Sequence, residues 1–143
     1  LISLIDIYFN IMNIKSSKEL VDKANELIKV MSPEQVKNAY DKGDVTLIDV
    51  RDIRELWKEG TIKDSIHIPR GMLEFWLDPQ SSYYQEKKIG DIKNIVLFCA
   101  LGFRSALATK ALKEMGFDNV ANANGGFDSL KKAGLPVVVK EKK

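Results

Sequence analysis

IVLFCALGFRSALATKALKEM, residues 95–115, contains the pattern from which the architecture follows. Its first five residues form an unbroken apolar run, which predicts a buried central strand over 95–99. Gly102 then marks a short loop, and apolar residues three and four positions apart predict a helix over 104–115. Cys99 therefore lies at the end of a strand, immediately before a loop and the beginning of a helix.

The same alternation of apolar runs and helical patterns extends to both sides of this segment. Further strands are predicted over 28–31, 45–50, 65–68 and 120–123. Strands separated by helices pair in parallel through right-handed crossovers, so we predict an α/β fold with a central parallel sheet of about five short strands flanked by helices on both faces. Ligands bind beyond the carboxyl ends of such strands, which directs attention to the residues after Val50, Cys99 and Ala123.

Three polar pairs predict the beginnings of helices. They are Ser16 with Glu19, Ser32 with Gln35, and Asp52 with Glu55. For the first of these helices, the apolar spacing predicts a buried face made of Leu20, Ala24, Leu27 and Ile28. The polar segment 78–90 carries no pattern that assigns it to a helix or a strand.

Length and composition restrict the classes of function. A chain of 143 residues is close to one average domain. The net charge of +2 argues against nucleic-acid binding through charge alone. A single cysteine excludes an internal disulfide, and a single histidine argues against a multi-ligand zinc site. We therefore expect a protein of a reducing compartment, the cytoplasm, with a free thiol, no metal and no nucleic-acid partner.

Residues 1–15 form an apolar extension ahead of a single domain over 16–143. The run LISLIDIYFNIMNI (1–14) is too short to span a bilayer and polar residues interrupt it, so a membrane partner is disfavoured. Two interpretations stay open, a non-native upstream extension or an amphipathic helix. The apolar face of that helix would pack on the domain, on a second subunit or on a membrane surface, and we favour packing within the chain or in a homodimer. The face consists of Leu1, Leu4, Ile5, Tyr8, Ile11 and Met12.

The surroundings of Cys99 favour a nucleophile, although a lone cysteine is most often a small buried hydrophobic residue. The positive end of the following helix and the inward N–H groups of a tight loop both stabilise a thiolate. Gly102 permits the left-handed backbone that such a loop needs, and Arg104 adds a permanent positive charge. His67 is distant in the sequence and is expected to be structural, so activation is expected from the electrostatics of the loop.

Several segments together resemble the rhodanese (sulfurtransferase) family over about residues 30–138. They are the loop CALGFRS (99–105), DVR (49–51), HIPRGMLEFWLDP (67–79), GGF (125–127) and AGLPV (133–137). The loop, DVR and GGF form a specific combination, and the run 67–79 resembles a single-domain bacterial subgroup. GTIKDS (60–65) departs from the family's usual GHIPGA in a stretch that is mainly structural.

The resemblance implies a rhodanese-like fold and a thiosulfate sulfurtransferase type of activity. Cys99 would take sulfane sulfur from a small anionic donor, hold it as a persulfide, and pass it to a thiol, a protein cysteine or cyanide, with no metal or organic cofactor. Arg104 would help to bind an anionic donor such as thiosulfate. The N–H cradle would come from Ala100, Leu101, Gly102, Phe103, Arg104 and Ser105. Asp49 and Arg51 are expected to brace this loop by hydrogen bonds rather than to take part in the chemistry.

Two alternatives compete with this interpretation. A related phosphatase or arsenate reductase branch uses a roomier loop, whereas only the residues 100–103 separate Cys99 from Arg104 here. Non-catalytic rhodanese-like binding modules lack the cysteine, and a redox-sensing role would use Cys99 as an oxidant target. The aromatic residues Trp57, Phe75 and Trp76 are expected to form core or pocket wall.

Overall fold

The computed structural model describes residues 1–90, 92 and 94–143, which fold into three layers. The strands are β1 (Lys29–Met31), β2 (Thr46–Asp49), β3 (Thr61–Ile62), β4 (Ile66–His67), β5 (Ile95–Phe98), β6 (Val120–Ala123) and β7 (Val137–Val138). The helices are α1 (Leu4–Asn13), α2 (Ser17–Leu27), α3 (Pro33–Asp41), α4 (Ile53–Glu59), α5 (Leu73–Leu77), α6 (Glu86–Ile89), α7 (Phe103–Met115) and α8 (Gly126–Lys132), with a 3-10 turn at Arg70–Met72. The predicted α/β fold with a central parallel sheet is confirmed.

The central sheet has the strand order β1-β6-β5-β2-β4, and all of its described pairings are parallel. β5 lies in the middle, as its unbroken apolar run predicts. Asp49 of β2 is in register with Phe98 of β5, and Leu97 of β5 is in register with Asn122 of β6. The segments that follow β2, β5 and β6 therefore meet at one edge of the sheet.

Helices cover both faces of this sheet because the side chains of β5 alternate between two apolar clusters. One cluster joins β5 to α5 and α7 and includes Ile95, Leu97, Cys99, Leu73 and Leu112. The other joins β5 to α3 and α8 and includes Val96, Phe98, Val36 and Leu130. Burial on both faces explains why the strand contains no polar position.

The buried face of α2 agrees with the predicted one at Ala24 and Ile28 and differs from it at Leu20 and Leu27. Val21 and Ala24 are buried, whereas Leu20 and Leu27 are exposed. α2 packs on α7, where Ala24 lies in one cluster with Ala106. The small residues allow a close approach that selects the Val21–Ala24 side of the helix, and this tertiary contact overrides the spacing of the leucines.

The predicted helix start at Asp52 is confirmed, because Asp52 caps α4, but its predicted pairing with Glu55 is wrong. The Asp52 carboxylate accepts hydrogen bonds from the backbone N–H of Arg54 (2.9 Å) and from its Nε (2.8 Å). These hydrogen bonds lower the pKa of Asp52 to about 2. Glu55 is instead drawn to the cationic side chain of Arg104 at the start of α7.

Three short elements have no pattern in the sequence. β3 and β7 form a small antiparallel sheet in which Thr61 is in register with Val138 and Ile62 with Val137. α6 lies in the segment 78–90, which carries no helical or strand pattern. Strands of two residues have no periodicity of their own, so only tertiary pairing creates them.

α1 forms a regular helix, and every one of its residues is exposed. Ser3 and Asp6 make a reciprocal capping box at its beginning. Packing of this helix on its own domain is therefore not observed. None of the helices in the described part of the chain combines the length and apolar character that a membrane crossing requires.

We predict that a chain beginning at Lys15 keeps its thermal unfolding midpoint within about 2 °C, because α1 contributes no buried side chain. Differential scanning calorimetry at low protein concentration measures this. As a control, Leu112→Ala removes a fully buried side chain and is expected to cost about 2–5 kcal/mol. A fall of many degrees on truncation would show that α1 supports the fold.

Candidate active site

Two backbone N–H groups point at the sulfur of Cys99, which directly follows β5. The Sγ atom accepts hydrogen bonds from the N–H of Gly102 (3.1 Å) and from that of Ser105 (3.4 Å). A third contact joins Sγ to the hydroxyl Oγ of Ser105 at 3.3 Å. Cys99 is 1% exposed, so the charge of a thiolate there would be stabilised by these donors rather than by bulk water.

Gly102 makes this arrangement possible. Its backbone is left-handed, with φ +102°, and it caps the beginning of α7. This conformation turns the chain back toward the sulfur and aims the Gly102 N–H at it. A residue with a Cβ atom adopts such a φ only with strain, which explains the glycine.

The beginning of α8 closes the other side of the loop. The N–H of Phe127 donates to the carbonyl oxygen of Cys99 at 2.8 Å. Gly126 has φ +66°, and a Cβ atom on it would lie 2.4 Å from the carbonyl oxygen of Ala100 and 2.6 Å from that of Cys99. The GGF segment (125–127) therefore packs directly against the backbone of Cys99 and Ala100.

A buried polar network supports the loop from β6. The hydroxyl of Ser105 donates to Oδ1 of Asn122 at 2.6 Å, and Nδ2 of Asn122 donates to the carbonyl oxygen of Gly102 at 3.1 Å. The same Nδ2 donates to Oδ1 of Asn25 on α2 at 3.3 Å. Sequence reasoning missed Asn122, although a polar residue inside a buried strand is the signal that could have found it.

Asp49 and Arg51 form a fully buried ion pair at the end of β2. Nη2 of Arg51 lies 2.8 Å from Oδ2 of Asp49 and donates to the carbonyl oxygen of Gly60 at 2.8 Å. Thr61 donates to Oδ2 of Asp49 at 2.7 Å. The guanidinium stacks on Phe127, with 4.2 Å from Cζ to the ring centroid. The described contacts of the pair thus reach the Cys99 loop through Phe127 and not by a direct hydrogen bond.

Arg104 lies beside the loop and is held by Glu55 of α4. Its Nη1 and Nη2 donate to the two carboxylate oxygens of Glu55, each at 3.1 Å. Partial burial opposes the charged form, but the hydrogen bonds with Glu55 and the charges of Glu55, Cys99 and Asp49 outweigh it and raise the pKa of Arg104. The cation is therefore permanent, and Glu55 offsets part of its field.

Apolar side chains surround the mouth of the loop. Leu101 and Phe103, both within the segment 99–105, are each 60% exposed. Phe75 on α5, predicted to form core or pocket wall, is 52% exposed and is therefore not a core residue; its ring lies 6.3 Å from that of Tyr83. A cavity of about 490 Å³ between α2 and α7 is lined by Val21, Phe103, Arg104 and Leu107, among others. These exposed side chains form a surface on which a reaction partner can rest while its reactive atom approaches the loop.

The described hydrogen bonds of Sγ do not include the remaining candidate residues. Nε2 of His67 contacts the carbonyl oxygen of Arg51 at 2.7 Å, and Trp76 packs against the cluster that contains Cys99. Trp57 is half-buried, with Lys142 5.2 Å from its ring centroid.

Of the loop amides predicted to form the cradle, those of Gly102 and Ser105 hydrogen-bond to Sγ. Within residues 1–90, 92 and 94–143, no group of three acidic, histidine or cysteine side chains is placed to hold a metal ion.

A parallel sheet flanked by helices, with a cysteine loop at its carboxyl edge, defines the class of α/β domain to which this chain belongs. The model of the rhodanese-like domain matches residues 32–133, and the chain belongs to this family. The comparisons with known proteins support a rhodanese-type sulfurtransferase in general terms.

Three similar proteins illustrate the relationship. A protein of unknown function from Rhodopseudomonas palustris, described as a possible tyrosine phosphatase, is 40% identical with a TM-score of 0.80, over 87% of this chain and 95% of that one. The polysulfide-sulfur transferase homodimer of Wolinella succinogenes is 34% identical with a TM-score of 0.65, over 86% and 87% of the two chains. The thiosulfate sulfurtransferase GlpE of Actinobacillus pleuropneumoniae is 28% identical over 79% of this chain and 95% of its own.

We predict that Gly126→Ala destabilises the protein more than Gly43→Ala does. Both glycines have positive φ values, +66° and +71°, so the backbone strain of about 1 kcal/mol is similar in the two variants. Only at Gly126 would the added Cβ meet backbone oxygen atoms, whereas Gly43 has open space within 4 Å among the described residues. Urea unfolding measures the free energy of unfolding of both variants. Equal losses of free energy would show that the loop moves away from the added Cβ atom without destabilising the protein.

Proposed function

We propose that this protein transfers sulfane sulfur from thiosulfate or a persulfide donor to a thiol, a protein cysteine or cyanide, through a persulfide on Cys99. The observation that carries this proposal is the convergence of the Gly102 and Ser105 N–H groups on Sγ. Such donors stabilise an anionic sulfur in a site from which bulk water is excluded.

In the first step, the Cys99 thiolate attacks the outer sulfur of thiosulfate. A bond forms between Sγ and the outer sulfur, the sulfur–sulfur bond of thiosulfate breaks, and sulfite leaves with the electron pair. With a persulfide donor, attack on the terminal sulfur releases the donor's thiolate in the same way. The product is a Cys99 persulfide, whose negative charge the loop amides and the beginning of α7 stabilise.

In the second step, the acceptor attacks the outer sulfur of the persulfide. The bond between the two sulfurs breaks, the electron pair returns to Sγ, and the thiolate is regenerated. Cyanide leaves as thiocyanate, and a thiol acceptor leaves as a persulfide. The exposed side chains of Leu101 and Phe103 offer the contact surface for such an acceptor.

Arg104 supports an anionic donor, since it places a permanent cation beside the loop. Both terminal nitrogens of Arg104 donate hydrogen bonds to Glu55. An anionic donor must therefore bind the guanidinium alongside Glu55 or displace the Glu55 carboxylate from it. The name of the relative from Actinobacillus, a thiosulfate sulfurtransferase, agrees with an anionic donor. Asp49 and Arg51 keep their proposed role as supports of the loop, acting through Phe127.

A homodimer is proposed as the assembly. The apolar side chains of α1 are exposed along the whole helix, and burial between two copies would remove them from water. The relative from Wolinella is a homodimer, which agrees with this proposal.

Phosphatase activity is the second candidate, favoured by the description of the relative from Rhodopseudomonas. The loop provides four residues, 100–103, between Cys99 and Arg104. Two amides already contact the sulfur itself, which suits a single added sulfur atom better than a phosphoryl group with its oxygens.

We predict that incubation with thiosulfate adds the mass of one sulfur atom to the protein and that cyanide removes it again. Intact-mass spectrometry measures both steps, and a persulfide must be on Cys99 because the chain has one thiol. Cys99→Ser is expected to show no adduct while keeping the unfolding midpoint of the parent. Hydrolysis of an aryl phosphate without any sulfur adduct would establish the phosphatase instead.

We also predict that Arg104→Ala lowers kcat/KM for thiosulfate by about 10- to 100-fold, as expected for loss of a charge-assisted contact. With a persulfide donor whose organic part is uncharged, the loss should be several times smaller. Glu55→Gln is the matched variant, because it keeps Arg104 charged and removes the competing carboxylate. It should raise kcat/KM for thiosulfate. Equal losses with both donors in Arg104→Ala would show that Arg104 shapes the loop rather than recognising charge.

A further inference from the structure

The hydroxyl of Ser105 has one proton and two neighbours that can accept it. Oδ1 of Asn122 lies 2.6 Å from Oγ, and Sγ of Cys99 lies 3.3 Å from it. A hydroxyl donates one hydrogen bond at a time, so Ser105 can donate its proton either to Asn122 or to Cys99 but not to both. Ser105 and Asn122 are both buried, which makes the choice energetically significant.

The orientation of the Asn122 amide decides which neighbour receives the proton. Its Nδ2 donates to the carbonyl oxygen of Gly102 at 3.1 Å and to Oδ1 of Asn25 at 3.3 Å. The carbonyl oxygen of Gly102 can only accept, so the opposite orientation of the Asn122 amide would place an oxygen against an oxygen. Oδ1 must therefore face Ser105, and it binds the hydroxyl proton.

This arrangement suits a protonated Cys99. The thiol can donate to Oγ of Ser105, whose own proton is directed to Asn122. A thiolate or a persulfide has no proton to donate on Sγ, and it gains a third donor only if the hydroxyl turns away from Asn122. The turn leaves Oδ1 of Asn122 without this hydrogen bond in a buried site, which costs free energy.

We propose that Asn122 is a positioning residue that competes with Cys99 for the Ser105 proton and so makes the resting thiol harder to ionise. The hydroxyl turns to the sulfur when the sulfur becomes anionic, in the thiolate or in the persulfide. The persulfide part of this inference rests on the proposed function, while the thiolate part does not.

The charged groups around Cys99 stay the same when Asn122 is changed. The charge of Arg104 on α7 interacts with Cys99 and with Asp49 of β2, and Arg104 and Asp49 are paired with Glu55 of α4 and with Arg51. In the described part of the chain, the side-chain hydrogen bonds of Asn122 go to Ser105, Gly102 and Asn25. A change in the titration of the thiol in an Asn122 variant therefore reports on the Ser105 proton or on the shape of the loop.

The experiment separates these two causes by a double-mutant cycle. The ultraviolet absorbance of the thiolate is followed against pH in the full-length protein, with the Cys99→Ser variant subtracted to remove tyrosine absorbance. Asn122→Ala should move the midpoint to lower pH by about half a unit or more, because the hydroxyl is free to donate to the sulfur. Ser105→Ala should move the midpoint upward, since it removes that donor.

The decisive variant is Ser105→Ala combined with Asn122→Ala, whose midpoint should equal that of Ser105→Ala alone. A downward shift that persists without the hydroxyl, or an upward shift in Asn122→Ala, would overturn the proposal. Asn122→Ser, which withdraws the acceptor oxygen from Ser105 but stays polar, should reproduce the downward shift and serves if the alanine variant does not fold. Asn25→Ala keeps Oδ1 of Asn122 in place and should leave the midpoint within about a quarter of a unit.

The titration needs no sulfur donor, so its outcome is independent of sulfur transfer. A downward shift together with no sulfur adduct from thiosulfate would keep the role of Asn122 and remove the sulfurtransferase assignment. A sulfur adduct together with unchanged midpoints would do the reverse.

Discussion

The sulfur of Cys99 sits where two backbone N–H groups converge, and the surrounding structure is arranged to keep them there. The Gly102 and Ser105 amides reach Sγ at 3.1 and 3.4 Å because β5 ends at Phe98, directly before Cys99, and Gly102 then turns the chain with a left-handed backbone into α7. Backbone amides cannot rotate away from their target as side chains do, so the cradle is preorganised at the cost of a constrained loop. The constraint explains why the loop is contacted from below by α8 and from the side by β6.

Each support acts through a close approach that leaves little room for substitution. Gly126 brings α8 so near that a Cβ atom would meet the carbonyl oxygens of Cys99 and Ala100. The guanidinium of Arg51, which is paired with Asp49, stacks on the ring of Phe127, and the N–H of Phe127 donates to the carbonyl oxygen of Cys99. Removing one partner of such a pair leaves an uncompensated buried charge, which typically costs about 3–5 kcal/mol. The stability of the fold and the geometry of the loop therefore depend on the same contacts.

The sequence predicted the parts of this molecule that have their own local pattern. The apolar run before Cys99, the glycine in the loop and the alternation of strands with helices gave the parallel sheet and the position of the thiol. The errors fall where tertiary contacts choose among local options. Val21 rather than Leu20 is buried on α2 because Ala106 allows α7 to approach closely. Glu55 forms an ion pair with Arg104 instead of the predicted capping pair with Asp52. Asn122 has no local pattern at all, since its partners are 20, 17 and 97 residues away.

Two different controls on the sulfur emerge from these contacts. Arg104 with Glu55 sets the field at the mouth, where an incoming anion meets a cation that is partly neutralised. Asn122 with Ser105 acts beneath the sulfur, where one proton is shared between an amide oxygen and Sγ. The Arg104–Glu55 pair is partly exposed to solvent, so dissolved salt weakens its electrostatic effect. The Ser105–Asn122 hydrogen bond is buried, so salt screens it much less. Under the proposed function, the exposed pair Arg104–Glu55 and the buried pair Ser105–Asn122 share no hydrogen bond among the described contacts, so a substitution in one pair leaves the hydrogen bonds of the other in place.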